Sequence, residues 1–192
     1  FGLEQLVHFM EQFPEAGYGL CSLPQDSKRI FPFQLSPSEA YKRHYITSTY
    51  LFHKANLSSI IKRETFEKVG GYTGKPLLGD FEMWHILSQN YKVVLMPQGI
   101  VWHRTHPDQL SEQLKLPLKS FNYFITEFEY LSSVSCPLLE SDKKIALRTC
   151  MKKQARYILR HYQSHGIKTG CQLLKMSKLN FFSLFLKAFS KI

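Results

Sequence analysis

Gly70-Gly71-Tyr72, Gly79-Asp80-Phe81-Glu82-Met83-Trp84 and Trp102-His103-Arg104-Thr105-His106 carry the reading of this chain. The glycine pair closes a short helix predicted over 63–69, because glycine tolerates the left-handed conformation that ends a helix. Residues 74–79 form a loop. A helix is predicted over 81–90, with Met83, Trp84 and Leu87 apolar, and a strand over 92–96, stopped by Pro97. A second strand is expected over 100–104. Helices alternating with strands predict an α/β layer for this part of the chain.

Upstream, Leu3, Leu6, Val7, Met10 and Phe13 recur at helical spacing and stop before Pro14. Tyr18 to Leu23 reads as a buried strand, and 25–35 as a loop. Ser36-Pro37-Ser38-Glu39 is a helix start: Ser36 caps, Pro37 suits the first helical position, and Glu39 completes a capping box. Residues 58–62 read as a strand. Residues 45–53 are aromatic and β-branched without a clear period.

Downstream of Ser111 the strand signals fade, and helices are predicted over 119–132, 142–165 and 169–192. Charge divides at the same place. Up to Ser111 there are 11 Lys/Arg against 10 Asp/Glu; from Glu112 there are 14 against 5. Attraction to anions therefore belongs to the C-terminal part. Between Asp142 and Ile192, 12 Lys/Arg face one acid, interleaved with Tyr157, Tyr162, Phe181, Phe182, Phe185 and Phe189. On one helical wheel, Leu174, Phe181, Phe185, Phe189 and Ile192 share a face, with Ser177, Ser183, Lys187 and Lys191 opposite. Such a helix either lies on an anionic membrane surface or packs on the domain with a solvated basic face. Basic charge with aromatics also fits nucleic acid, but no nucleic-acid motif occurs.

Hydrophobic content of 44% and charged content of 21% fit a folded protein. The four cysteines are far apart, with no zinc or disulfide spacing, so free and mostly buried thiols in a reducing compartment are expected. No uncharged apolar run is long enough to span a bilayer.

Two roles are open to Asp80. It can cap the helix it begins, or, held at the mouth of a sheet, it can act as a general base toward a sugar hydroxyl. Glu82 points to another side of the helix and is structural or acceptor-contacting. Arg104, His106, Gln109 and Ser111 form either a solvated loop or one that folds over a pyrophosphate, Arg104 neutralising oxygens and His106 binding phosphate or a divalent metal.

The order Ile60-Ile61-Lys62-Arg63-Glu64-Thr65-Phe66-Glu67-Lys68-Val69-Gly70-Gly71-Tyr72, Gly79 to Trp84, Tyr91-Lys92-Val93-Val94 and Arg104-Thr105-His106 resembles family 2 glycosyltransferases of the GT-A fold, over residues 1–111. The resemblance implies a partial GT-A type mixed sheet with flanking helices (1–111), followed by a basic helical region (112–192). It also implies inverting transfer from a nucleotide-sugar to a glycan or lipid-linked acceptor in cell-surface polysaccharide synthesis. By that likeness Asp80 is the base, and Arg104 and His106 close over the diphosphate. Ser58, Ser59, Glu82 and Trp84 line the sugar and acceptor pocket, and His106 is a candidate metal ligand. A divalent Mn or Mg ion, and action in the cytoplasm at the inner membrane face, belong to the same expectation.

This chain departs from the pattern where the Glu before the base is Gly79 and where the Arg after the Trp is Ile86. It contains no Asp-x-Asp. The expectation is therefore a C-terminal portion of the enzyme, inactive alone, with donor and metal held mainly by an N-terminal half. The alternative is a non-catalytic basic module for membrane or nucleic acid.

Overall fold

The computed structural model describes residues 1–47, 49–104 and 109–189, with the backbone alone at 110–112. The chain divides into two units, Phe1–His106 and Pro107–Ile192. The first is α/β, with a four-stranded mixed sheet, and the second is helical.

In the first unit α1 (Gly2–Glu11) leads into β1 (Ala16–Leu23), whose residues are nearly all buried. The strand β2 (Phe33–Leu35) is followed by α2 (Pro37–Tyr45), then β3 (Ser59–Ile61), α3 (Arg63–Lys68), α4 (Gly79–Asn90) and β4 (Lys92–Pro97). The sheet order is β2-β4-β1-β3. β1 and β4 are parallel, and β3 and β2 pair antiparallel to them on the two edges.

Alternation along β1 and β4 sends side chains to two layers. Cys21, Val94 and Met96 pack with Leu6 and Met10 of α1 on one face. Tyr18 points to the other, where its ring stacks on Trp84 at 6.1 Å and its hydroxyl hydrogen-bonds Ser88. Helix α2 packs beside α4 there, Tyr41 donating to the His85 carbonyl at 3.3 Å.

The capping box at α2 is present as expected. Ser36 Oγ accepts from the Glu39 amide, and Glu39 Oε2 accepts from the Ser36 amide at 2.8 Å. Ser36→Ala is expected to cost about 1 kcal/mol, read as a lower urea midpoint. Gly70 and Gly71 end α3 at φ 81° and 72°.

Two expectations fail in this unit. Phe33–Leu35 is a strand, not loop; three residues are too few to show a period, and pairing with β4 makes them one. Residues 100–104 are not a strand. Both edges of β4 are already taken, by β1 and β2, and Ile100 and Val101 pack against the α1 cluster instead.

In the second unit, α5 (Pro117–Ser132) pairs with α6 (Glu140–Met176), and α7 (Phe181–Phe189) closes over them. Phe121, Ala155, Ile158, Leu173, Leu179, Leu184 and Ala188 form its core. Gly166, at φ 81°, breaks the regular path of α6 where the sequence marked a stop, but the helix resumes at once. The single helix expected over 169–192 is instead interrupted at 177–180. Asn180 explains the new start: its Oδ1 accepts from the Ser183 amide at 2.7 Å, and Ser183 Oγ accepts from the Asn180 amide at 2.9 Å.

All four cysteines are free thiols; Cys21 and Cys150 are buried and Cys171 is exposed. Among the described residues no helix is long and apolar enough to cross a membrane.

Candidate active site at the carboxyl rim of the sheet

Parallel pairing puts the carboxyl ends of β1 and β4 at one rim, with Leu23 opposite Pro97. Antiparallel β3 begins there, because Ser59 lies opposite Leu20. Helix α4 runs back against β1: Ser88 bonds Tyr18 near the strand's start, Trp84, one turn earlier, reaches the Lys54 carbonyl, and Lys54 reaches Ser22 near the strand's end, so that Asp80, a further turn on, lies toward the rim. Ligands of open α/β sheets bind outside such strand ends.

Asp80 is in the first turn of α4 but is not its N-cap. Leu78 holds that position, without a side-chain cap. Asp80 Oδ1 accepts from the Phe81 amide at 2.9 Å. Burial raises its affinity for a proton above the usual aspartate range, against the pull of that hydrogen bond and of the nearby His53 charge. Tyr72 is its other neighbour. Burial raises the phenol's pKa, and the Asp80 charge adds to the effect.

The rim is tied together by side chains from four segments. Tyr72 donates to Asn56 Oδ1 at 2.9 Å. Trp84 Nε1 donates to the Lys54 carbonyl at 2.7 Å, and Lys54 Nζ donates to the Ser22 carbonyl at 2.8 Å. Buried Ser58 donates to Ser22 Oγ at 3.3 Å, and Ser59 to the Asn56 carbonyl at 2.6 Å. Ser58 and Ser59 therefore stand at this rim. Ser22 and Leu77 take left-handed φ values of 60° and 68°, and neither is glycine. Backbone strain of this kind gathers at functional sites.

Glu82 and Trp84, expected to line the pocket, are internal. Glu82 is 2% exposed and accepts from Lys75 Nζ at 2.6 Å and from Thr73 Oγ1. It holds the 70–79 loop onto α4 and so fixes the approach to Asp80. Trp84 is fully buried on Tyr18. Lys75→Ala leaves the buried Glu82 carboxylate without its cation. Since Lys75 itself is half-exposed, a cost of about 2 kcal/mol is expected, below the 3–5 typical of a fully buried pair. Urea unfolding checks it, and Lys75→Arg is expected to restore most of the loss.

Arg104 is exposed on the segment that leaves the end of β4. His106 lies outside the described residues, as does the side chain of Ser111. The residues missed by the sequence are His53, Lys54 and Asn56, which end or follow the stretch 45–53 that has no clear period, and Ser22, which lay in a run read only as a buried strand; Tyr72 was visible only as part of the Gly-Gly-Tyr turn.

Among the described residues of this unit, the rim brings Asp80 beside the imidazole of His53 and the phenol of Tyr72, while Glu82 is committed to Lys75 and Thr73.

Fold and rim together define an α/β unit with a half-buried carboxylate at the mouth of a mixed sheet. No family model and no curated protein matches this chain.

Proposed function

We propose that this chain is the acceptor side of an inverting glycosyltransferase of GT-A type. Asp80 takes the proton of an acceptor hydroxyl as that oxygen attacks the anomeric carbon of a nucleotide-sugar. The bond to the diphosphate breaks, and the nucleoside diphosphate leaves with the electron pair. Arg104 and His106 neutralise its growing charge. The acceptor is a glycan or a lipid-linked sugar in cell-surface polysaccharide synthesis, at the cytoplasmic face of the membrane.

One observation carries the proposal: a carboxylate with raised proton affinity at the carboxyl rim of the sheet, in a helix's first turn. A base whose pKa moves toward the working pH transfers protons more effectively. The pinned 70–79 loop beside it gives the precise placement that such transfer needs.

Nucleotide and metal are assigned to residues outside this chain, which has no Asp-x-Asp. The sheet supports this division. β3 forms an edge among the described strands, and a groove of about 460 Å³ lined by Val7, Met10, Ile60, Ile61 and Lys62 runs beside it. An open edge with an apolar flank is suited to further strands.

The test is the stereochemistry of the product formed by the enzyme that contains this chain. Proton NMR of the new glycoside is expected to show inversion at the anomeric carbon. Retention, or failure to transfer from any nucleotide-sugar, would overturn the proposal.

A further inference from the structure

Helix α7 is apolar on two sides. Leu184 and Ala188 are buried in the core of the helical unit. The Arg156 guanidinium donates to the Ala188 carbonyl at 3.0 Å, which fixes the helix's last turn to α6. The adjoining side is exposed: Phe181 by 63%, Phe182 by 76%, Phe185 by 45%, Leu186 by 59% and Phe189 by 78%. At 100° per residue these five side chains fill one arc of about 140°. Lys187 and Ser183 lie on the far side of the wheel. The patch is roughly 600 Å², taking about 200 Å² for each ring, at the upper end of what a monomer exposes.

Charge decides what covers it. After Asp142 the chain has 12 Lys/Arg and no acid, and Lys175, Lys178 and Lys187 flank or belong to α7. A second copy would bring the same positive field against itself. An anionic lipid surface meets both requirements, offering an apolar boundary layer for the rings and negative headgroups for the lysines. With nine residues, α7 is about 14 Å long and cannot cross a hydrocarbon core of about 30 Å. It suits a position in the plane of the interface.

We infer that the outer face of α7 is a membrane-docking surface, holding this chain on anionic bilayers through Phe182, Phe185 and Phe189. Docking depends on the helical unit alone, not on the chemistry assigned to Asp80, so either proposal can fail while the other stands.

The experiment is sedimentation of the full chain with vesicles of phosphatidylcholine alone or with 30% phosphatidylglycerol, at about 0.1 and 0.5 M NaCl. Binding to the anionic vesicles is expected, falling on the order of tenfold at the higher salt. The triple variant F182S/F185S/F189S is expected to weaken binding by more than about a hundredfold. Its far-UV circular dichroism should stay unchanged, because the replaced rings are exposed. If the triple variant does not fold, Lys175→Glu with Lys178→Glu serves in its place, with a loss of at least about tenfold expected. Three results would overturn the inference. One is equal binding by wild type and variant. Another is a wild-type dimer that the triple variant dissolves while vesicles are ignored. The third is salt-sensitive binding to an oligonucleotide with none to vesicles.

Discussion

Trp84→Ala is expected to destabilise the first unit by about 3–5 kcal/mol, the range for removing a large buried aromatic. The ring is fully buried and stacks nearly parallel, at 6°, on Tyr18 in the central strand β1. Its loss leaves a cavity between sheet and helix that neither can close, since both are fixed by their own hydrogen bonds. The indole N–H also holds the Lys54 carbonyl, and Lys54 in turn holds Ser22 at the rim. Trp84→Phe keeps the stack and loses the hydrogen bond, so a smaller cost of about 1–2 kcal/mol is expected. Urea unfolding by far-UV circular dichroism measures both. If Trp84→Ala costs less than about 1 kcal/mol, Trp84 is a pocket wall and not a core residue.

How far the sequence reaches can be seen residue by residue. Ser36, Pro37 and Glu39 announced α2 because a capping box is local chemistry within four residues. Gly70 and Gly71 announced the end of α3 for the same reason. Strand β4 was legible from Val93 to Met96, a short apolar run before a proline. Strand β2 was not, since its identity comes from its partner and not from its own three residues. The segment 100–104 looks like a strand and is not one, because no free edge remains beside β4.

At the site, the sequence singled out Asp80 and the paired serines 58 and 59; the structure puts Asp80 in the first turn of α4 and ties the serines to Ser22 and Asn56. Glu82 was placed in the pocket because nothing local points to Lys75, a loop residue seven positions earlier. Its tie to Thr73 and Lys75 exists only once that loop has folded back. Trp84 was drawn toward the pocket by resemblance, although its apolar neighbours Met83 and Leu87 already spoke for the core. The pattern 45–53 concealed His53, whose value lies in its position beside Asp80 and not in any period.

Asp80→Asn should have the largest effect on activity. Asparagine has the shape of aspartate and can still accept the Phe81 amide hydrogen bond through Oδ1, so the first turn of α4 is preserved. It cannot take a proton. In the enzyme that contains this chain, kcat is expected to fall by about 10²–10⁴, the usual worth of a general base, with donor KM nearly unchanged.

Stability should move the other way. Burial raises the Asp80 pKa, so the folded state favours the protonated form and the ionised carboxylate weighs against folding at neutral pH. That cost is absent below the unfolded aspartate pKa and sets in as pH rises through the folded one. Asp80→Asn is therefore expected to raise Tm at pH 7 and to leave it unchanged at pH 3. A variant that folds better and reacts far more slowly marks a functional group held at the expense of stability.

The decisive measurement is the transfer rate of the Asp80→Asn enzyme beside wild type, from pH 5 to 9, with folding verified at each pH. A loss of at least about a hundredfold at every pH where wild type is active is the predicted result. Transfer at the wild-type rate would contradict the assignment of Asp80 as the base and remove the chemistry proposed for this rim.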